Sequence, residues 1–106
     1  MEYTVFDTNG FADYRSWLAR DKSKYQSIHR LIFSIQRDGP LDGYGKPEVL
    51  KGNYKCCYSR RIDDKNRLIY QYFEEDGNSR TIILGCSGHY SGRENTQKQR
   101  LLSKLK

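Results

Sequence analysis

YKCCYSRRI at residues 54–62, RLIYQYF at 67–73 and TIILGC at 81–86 are three runs dense in β-branched and aromatic residues, the composition that suits a pleated, half-buried surface. Between them lie DDKN at 63–66 and EEDGN at 74–78, polar linkers of turn-forming residues, so the pattern predicts a three-stranded antiparallel meander. Upstream, residues 41–52 carry Gly43, Gly45 and Pro47 among charges, which predicts a loop held by turn residues and not a helix. Ahead of that loop, Tyr25, Ile28, Leu31, Ile32 and Ile35 recur on one helical face. Asp21 and Ser23 are available as caps at its start, and Gly39-Pro40 stops it. Phe11, Tyr14, Trp17 and Leu18 repeat at the same period after the capping oxygens of Asp7 and Thr8, predicting a first helix. Tyr3 to Phe6 reads as a short strand. The expected fold is α+β: an N-terminal strand, then an αα-hairpin packed on one face of an antiparallel sheet whose other face is free to bind.

A chain of 106 residues has room for one domain with a modest core, since chains of this size bury about two-thirds of their unfolded surface. At 36% hydrophobic residues, the core must draw on the nine Tyr and four Phe. The division expected is a domain over residues 1–90 and a basic extension over 91–106. In the extension, Asn95 offers a cap and Leu101, Leu102 and Leu105 an apolar stripe. A C-terminal helix is expected there, covering a sheet edge or adding contacts to phosphates. No run reaches the length of a membrane span and the N-terminus lacks a secretory pattern, so the expected location is the cytoplasm, with no membrane partner.

The net charge of +6 is concentrated. Lys46, Lys51, Lys55, Arg60, Arg61, Lys65 and Arg67 all fall within residues 46–67, the footprint of a polyanion binder driven by counterion release. The cysteines point away from disulfides and zinc: Cys56 and Cys57 are adjacent on an expected strand and face opposite ways, Cys86 stands alone, and no CxxC spacing occurs. They are expected to be small buried thiols, and no metal or cofactor is called for. His29 sits beside the apolar stripe of the second helix with no titratable partner in register, and is expected to be a boundary residue and not a catalytic one.

Cleaving RNA without a metal requires a base for the 2′-OH proton, a cation for the charge growing on the phosphorus oxygens, and an acid for the leaving 5′ oxygen. Glu48, Arg67 and His89 supply those residue types. Glu48 lies between Lys46 and Lys51 in a Gly-bearing loop, surroundings that favour an ionised carboxylate. Arg67 opens a strand, where its planar guanidinium can offer two parallel donors to a phosphate. An unperturbed imidazole titrates near neutrality, which suits His89 as the acid, and Tyr90 beside it could stack on a base or orient the phosphate. Arg60 and Arg61 point to opposite strand faces, so at most one of them joins Arg67. A four-residue loop at 63–66 would pair Ile62 with Arg67 and put Arg60 on its face; a five-residue loop would pair Arg61 with Arg67. The sequence leaves the two registers open.

In order, GYGKPEVLK at 43–51, YSRRI at 58–62, NRLIY at 66–70 and HY at 89–90 resemble the YoeB family within the RelE-like toxins. The resemblance spans roughly residues 1–90 and implies the helix–helix–meander fold already read. It further implies a type II toxin: a ribosome-dependent, metal-independent endoribonuclease that cleaves mRNA at A-site codons. Glu48 is then the general base, Arg67 and Arg61 hold the transition-state phosphate, His89 is the acid and Tyr90 orients. Lys46 and Lys51 contact RNA, with Arg60 a structural or peripheral charge that could also reach RNA. The implied partners are the 70S ribosome, mRNA, a YefM-like antitoxin and a second copy of the chain. Two features depart from the family pattern: Tyr58 stands where Trp is usual, and the chain continues for sixteen residues past Tyr90. The rival reading is a toxin of this fold that binds a protein such as DNA gyrase and lacks a nuclease site. A catalytically weak RNA-binding repressor is a third reading. Neither would need Glu48, Arg67, His89 and Tyr90 together.

Overall fold

A computed structural model describes residues 1–51 and 56–88. The expected C-terminal helix, the boundary at residue 90, and Lys55, His89 and Tyr90 lie outside the described residues. The elements run β1 (Glu2–Phe6), α1 (Thr8–Arg20), α2 (Lys22–Asp38), β2 (Glu48–Val49), β3 (Cys57–Arg61), β4 (Arg67–Glu75) and β5 (Asn78–Gly85). The helix starts follow from their caps. The Asp7 carboxylate accepts from the Gly10 N–H at 2.7 Å, and that of Asp21 from the Ser23 N–H at 3.0 Å, satisfying donors that a helix start leaves orphaned. Gly39 ends α2 at a φ of 92°, a conformation that a side chain disfavours.

The five strands are ordered β1-β5-β4-β3-β2, with β1 parallel to β5 and the other pairs antiparallel. The expected meander is β3-β4-β5, and three details differ from expectation. First, β2 lies inside the segment expected to be all loop: Glu48 and Val49 pair with Ser59 and Tyr58. Two residues are too few to carry a recognisable alternation. Second, the β4–β5 turn is only Asp76-Gly77, with Glu75 paired to Asn78. Both turn residues have positive φ, 52° and 79°, as a two-residue turn of the primed type requires. The Asp-Gly dipeptide carried that signal, and the flanking acidic residues made the linker look longer. Third, Cys56 is not a buried strand residue. It is exposed with φ 63° just before β3, whereas Cys57 and Cys86 are buried.

Trp17 of α1 and Ile28, Leu31, Ile32 and Ile35 of α2 pack on Leu68, Tyr70 and Ile83 of the sheet. The α2 stripe is buried as its period predicts, while in α1 Phe11 and Leu18 remain about half exposed. The opposite face is not wholly free. Cys57, Ile69 and Leu84, the alternate strand positions, form a second buried cluster with Leu50. Only part of that face is left open, and the candidate site lies on this part.

Candidate active site

Directly opposed residues of an antiparallel pair project to the same face. The register Arg61↔Arg67 therefore puts these two guanidinium groups side by side, and Glu48↔Ser59 puts Glu48 on that face two positions along β3. This is the face away from the helices, since Ile69, two residues after Arg67, belongs to the second cluster. The hairpin thus adopts the five-residue alternative: the Ile62 and Asp63 N–H groups both donate to the Asn66 carbonyl, and β4 begins opposite Arg61. Glu48 and Arg61 are exposed and Arg67 is half-buried. Lys46, at a positive φ of 52°, and Lys51 are exposed at the two ends of the same segment.

Arg60 faces the other way and is fully buried. The guanidinium donates from Nε to Tyr70 Oη (2.9 Å), from Nη1 to Ser34 Oγ (2.9 Å) and the Tyr44 carbonyl (2.7 Å), and from Nη2 to the Gly39 (2.8 Å) and Asp42 (2.7 Å) carbonyls. All five N–H donors of an arginine are thereby satisfied, the condition under which a charge tolerates burial. The end of α2 also favours a cation there, because its unsatisfied carbonyls carry partial negative charge. Tyr70 Oη passes the chain on to the Pro40 carbonyl at 2.6 Å; burial pushes its phenol pKa up, with Arg60 opposing. A role for Arg60 in RNA contact is therefore overturned: it has neither exposure nor an unused donor, and its work is to brace residues 39–44. Gly43 and Gly45, at φ 96° and 88°, let that segment close over Ser34 and Leu31, where a Cβ would collide. From Gly45 the chain bonds to β3, its carbonyl accepting the Arg61 N–H at 2.7 Å, and continues into Lys46 and Glu48.

Arg67 is fixed by the turn before it. Its Nη1 donates to the Asp63 (2.6 Å) and Asn66 (3.1 Å) carbonyls. Asp63 organises that turn by accepting the N–H groups of Lys65 and Asn66, both at 2.8 Å, and meets Lys24 at 3.3 Å. Burial works against its charge, yet these donors together hold its carboxyl below the usual carboxylate range. Asn66 Oδ1 accepts the Gly88 N–H at 2.8 Å, and the Gly88 carbonyl accepts the Arg67 N–H at 2.8 Å. Gly88, which precedes His89 in sequence, is thus held beside Arg67. The same segment is held from α1, where Trp17 Nε1 donates to the Cys86 carbonyl (2.7 Å) and Asp13 Oδ2 accepts the Cys86 N–H (3.0 Å).

Glu48, Arg61 and Arg67 are brought to one face, with Lys46 and Lys51 flanking Glu48 in sequence. The residues that sequence reasoning missed are the supports: Ser34, Tyr70, Asp63, Asn66, Asp13 and Trp17. Only Asp63 and Asn66 had a local signal, as turn-capping side chains. His29 is half-buried with Nε2 2.7 Å from Tyr14 Oη, so it has the titratable partner that sequence spacing did not show. The Tyr14 phenol, desolvated and bonded to Tyr25, is pushed up to about 12.

Residues 6–90 match the family described as the YoeB-like toxin of bacterial type II toxin–antitoxin systems. Toxin RelK of Mycobacterium tuberculosis is 42% identical over 90 residues, covering 85% of this chain and all of the relative. The YoeB dimer of Staphylococcus aureus superposes with a TM-score of 0.73 at 40% identity, covering 83% of this chain and 97% of that one. The toxin in the heterotetrameric YoeB–YefM complex of the same organism gives 0.70 at 39%, covering 82% and 95%.

Proposed function

The chain belongs to the YoeB-like toxins of bacterial type II toxin–antitoxin systems, and from that premise we propose that it is a metal-independent endoribonuclease acting on mRNA in the ribosomal A site. The observation that carries this reading is the register that sets Arg61 opposite Arg67 on the face that also bears Glu48. A carboxylate and two cations gathered on a sheet face match the needs of 2′-OH attack on a phosphodiester.

Glu48 takes the 2′-OH proton and the freed oxygen attacks the adjacent phosphorus. Arg67 and Arg61 stabilise the charge on the phosphorus oxygens, Tyr90 orients the phosphate, and His89 gives its proton to the departing 5′ oxygen. The products are a 2′,3′-cyclic phosphate, or the 3′-phosphate derived from it, and a 5′-hydroxyl. Lys46 and Lys51 contact the RNA backbone, and the ribosome aligns the strand. An enzyme that acts on translating ribosomes works in the cytoplasm, and that is the location proposed. Among the described residues no helix is long and apolar enough to cross a membrane. Residues 1–90 form the toxin domain and 91–106 a basic extension. A YefM-like antitoxin is the expected inhibitor and a homodimer the expected self-assembly, by analogy with the S. aureus complexes.

The test is cleavage of a defined messenger on purified ribosomes, with wild type, Arg67→Ala and His89→Gln compared and the cut ends mapped. A-site cuts reduced about 100-fold or more by either substitution, the scale of a lost acid or transition-state donor, are the expected result. No cutting by any variant, with growth arrest unaffected by both substitutions, would sink the reading and favour a protein target such as gyrase.

A further inference from the structure

Tyr3, Arg80 and Phe73 are direct neighbours in register across β1, β5 and β4. They therefore project to one face, and alternation along β4 makes it the face of Arg67 and not of the helices. Tyr3 is 53% and Phe73 38% exposed, and Arg80 is exposed, so none of the three contributes much to the core. The Arg80 guanidinium carbon lies 5.2 Å from the centre of the Phe73 ring. Together with Glu75 and Asp76 they line a recess of about 260 Å³. This is below the roughly 300–1,000 Å³ of clefts that take drug-sized ligands, and suits one planar heterocycle.

Two aromatic side chains and a guanidinium from three adjacent strands present flat surfaces on which an unpaired base can stack, whatever its identity. The rim carboxylates of Glu75 and Asp76 repel phosphate but can accept N–H groups from a base edge. The recess is therefore built for a base and not for the backbone, which has Arg61 and Arg67 on the same face to meet its phosphates. From Arg67 to Phe73 is six residues of strand, roughly 20 Å at about 3.3 Å per residue, or a few nucleotides of extended chain.

We propose that Tyr3, Arg80 and Phe73 form a base-stacking subsite for an unpaired nucleotide of the messenger, a few nucleotides from the scissile phosphate. The inference rests on the ribonuclease reading, and its test can fail separately. The full chain carrying Arg67→Ala, which blocks cutting, is titrated with a short single-stranded oligoribonucleotide. Adding Tyr3→Ala or Phe73→Ala should weaken binding by about 5-fold or more, the scale of one lost base–aromatic stack. Phe33→Ala, a 65% exposed aromatic on α2, should change nothing, and thermal melting checks that each variant is folded. On ribosomes, a messenger with photoreactive bases beside the A-site codon should crosslink to the segments holding Tyr3 or Phe73. Equal affinities for the Tyr3, Phe73 and Phe33 variants, or messenger crosslinks that reach neither segment, would overturn the subsite. Failure of the ribonuclease reading would show differently, as a wild type that binds RNA through these residues yet never cuts it.

Discussion

Arg60 and Arg61 are consecutive residues of one type on one strand, yet they end in opposite environments. Arg60 projects toward the helices, loses all its water and recovers five hydrogen bonds from the protein. Arg61 projects to the other face, stays exposed and stands beside Arg67. Positive charge by itself predicts neither role. What separates them is the pleat, which sends neighbours to opposite sides, together with what each side offers: helix-end carbonyls on one, solvent and a second arginine on the other.

The comparison breaks most visibly at Arg60. Arg60→Ala leaves the Gly39, Asp42 and Tyr44 carbonyls and Tyr70 Oη without the donor Arg60 supplies, takes one of two donors from Ser34 Oγ, and should cost about 4 kcal/mol of unfolding free energy, the range for dismantling a buried charged network. Urea denaturation measures it, and a loss below about 1 kcal/mol would remove the idea that this residue braces the loop. Arg61→Ala should do the reverse: stability within about 0.5 kcal/mol of wild type, as for an exposed side chain, but ribosomal cleavage slower by about 10- to 100-fold for a lost transition-state donor. Stability lost and cleavage kept would mean that the two arginines had been assigned to the wrong faces.

A smaller effect sharpens the account of how Arg67 is held. The Asp63 carboxyl lies below its usual range in the folded chain. Its contribution is therefore complete above the unfolded value of about 3.9, and fades as the pH falls through that value toward the lower folded one. Asp63→Asn should destabilise by under about 1 kcal/mol near neutral pH, since the group is partly solvent-screened. The difference from wild type should shrink when unfolding is followed below about pH 4. A gap that stays constant with pH would mean that the turn is held by shape alone.

Much of this was legible in the chain. The α2 stripe, the Asp7 and Asp21 caps and the three meander strands are local patterns, and local physics sets them: a 3.6-residue or two-residue period and a carboxylate within reach of the next N–H groups. Glu48 and Arg67 could be nominated because the reaction demands a base and a cation, and the ordered motifs carry the family resemblance, which favoured Arg61. The rest depended on distant partners. Nothing near Arg60 in sequence says that Ser34, Gly39, Asp42, Tyr44 and Tyr70 will converge on it, and two residues of β2 have no periodicity to read. The register was equally hidden, because four- and five-residue hairpin loops both fit DDKN. Only the folded chain decided that Arg61 and not Arg60 meets Arg67: a strand has two faces, and which one is core depends on what packs there.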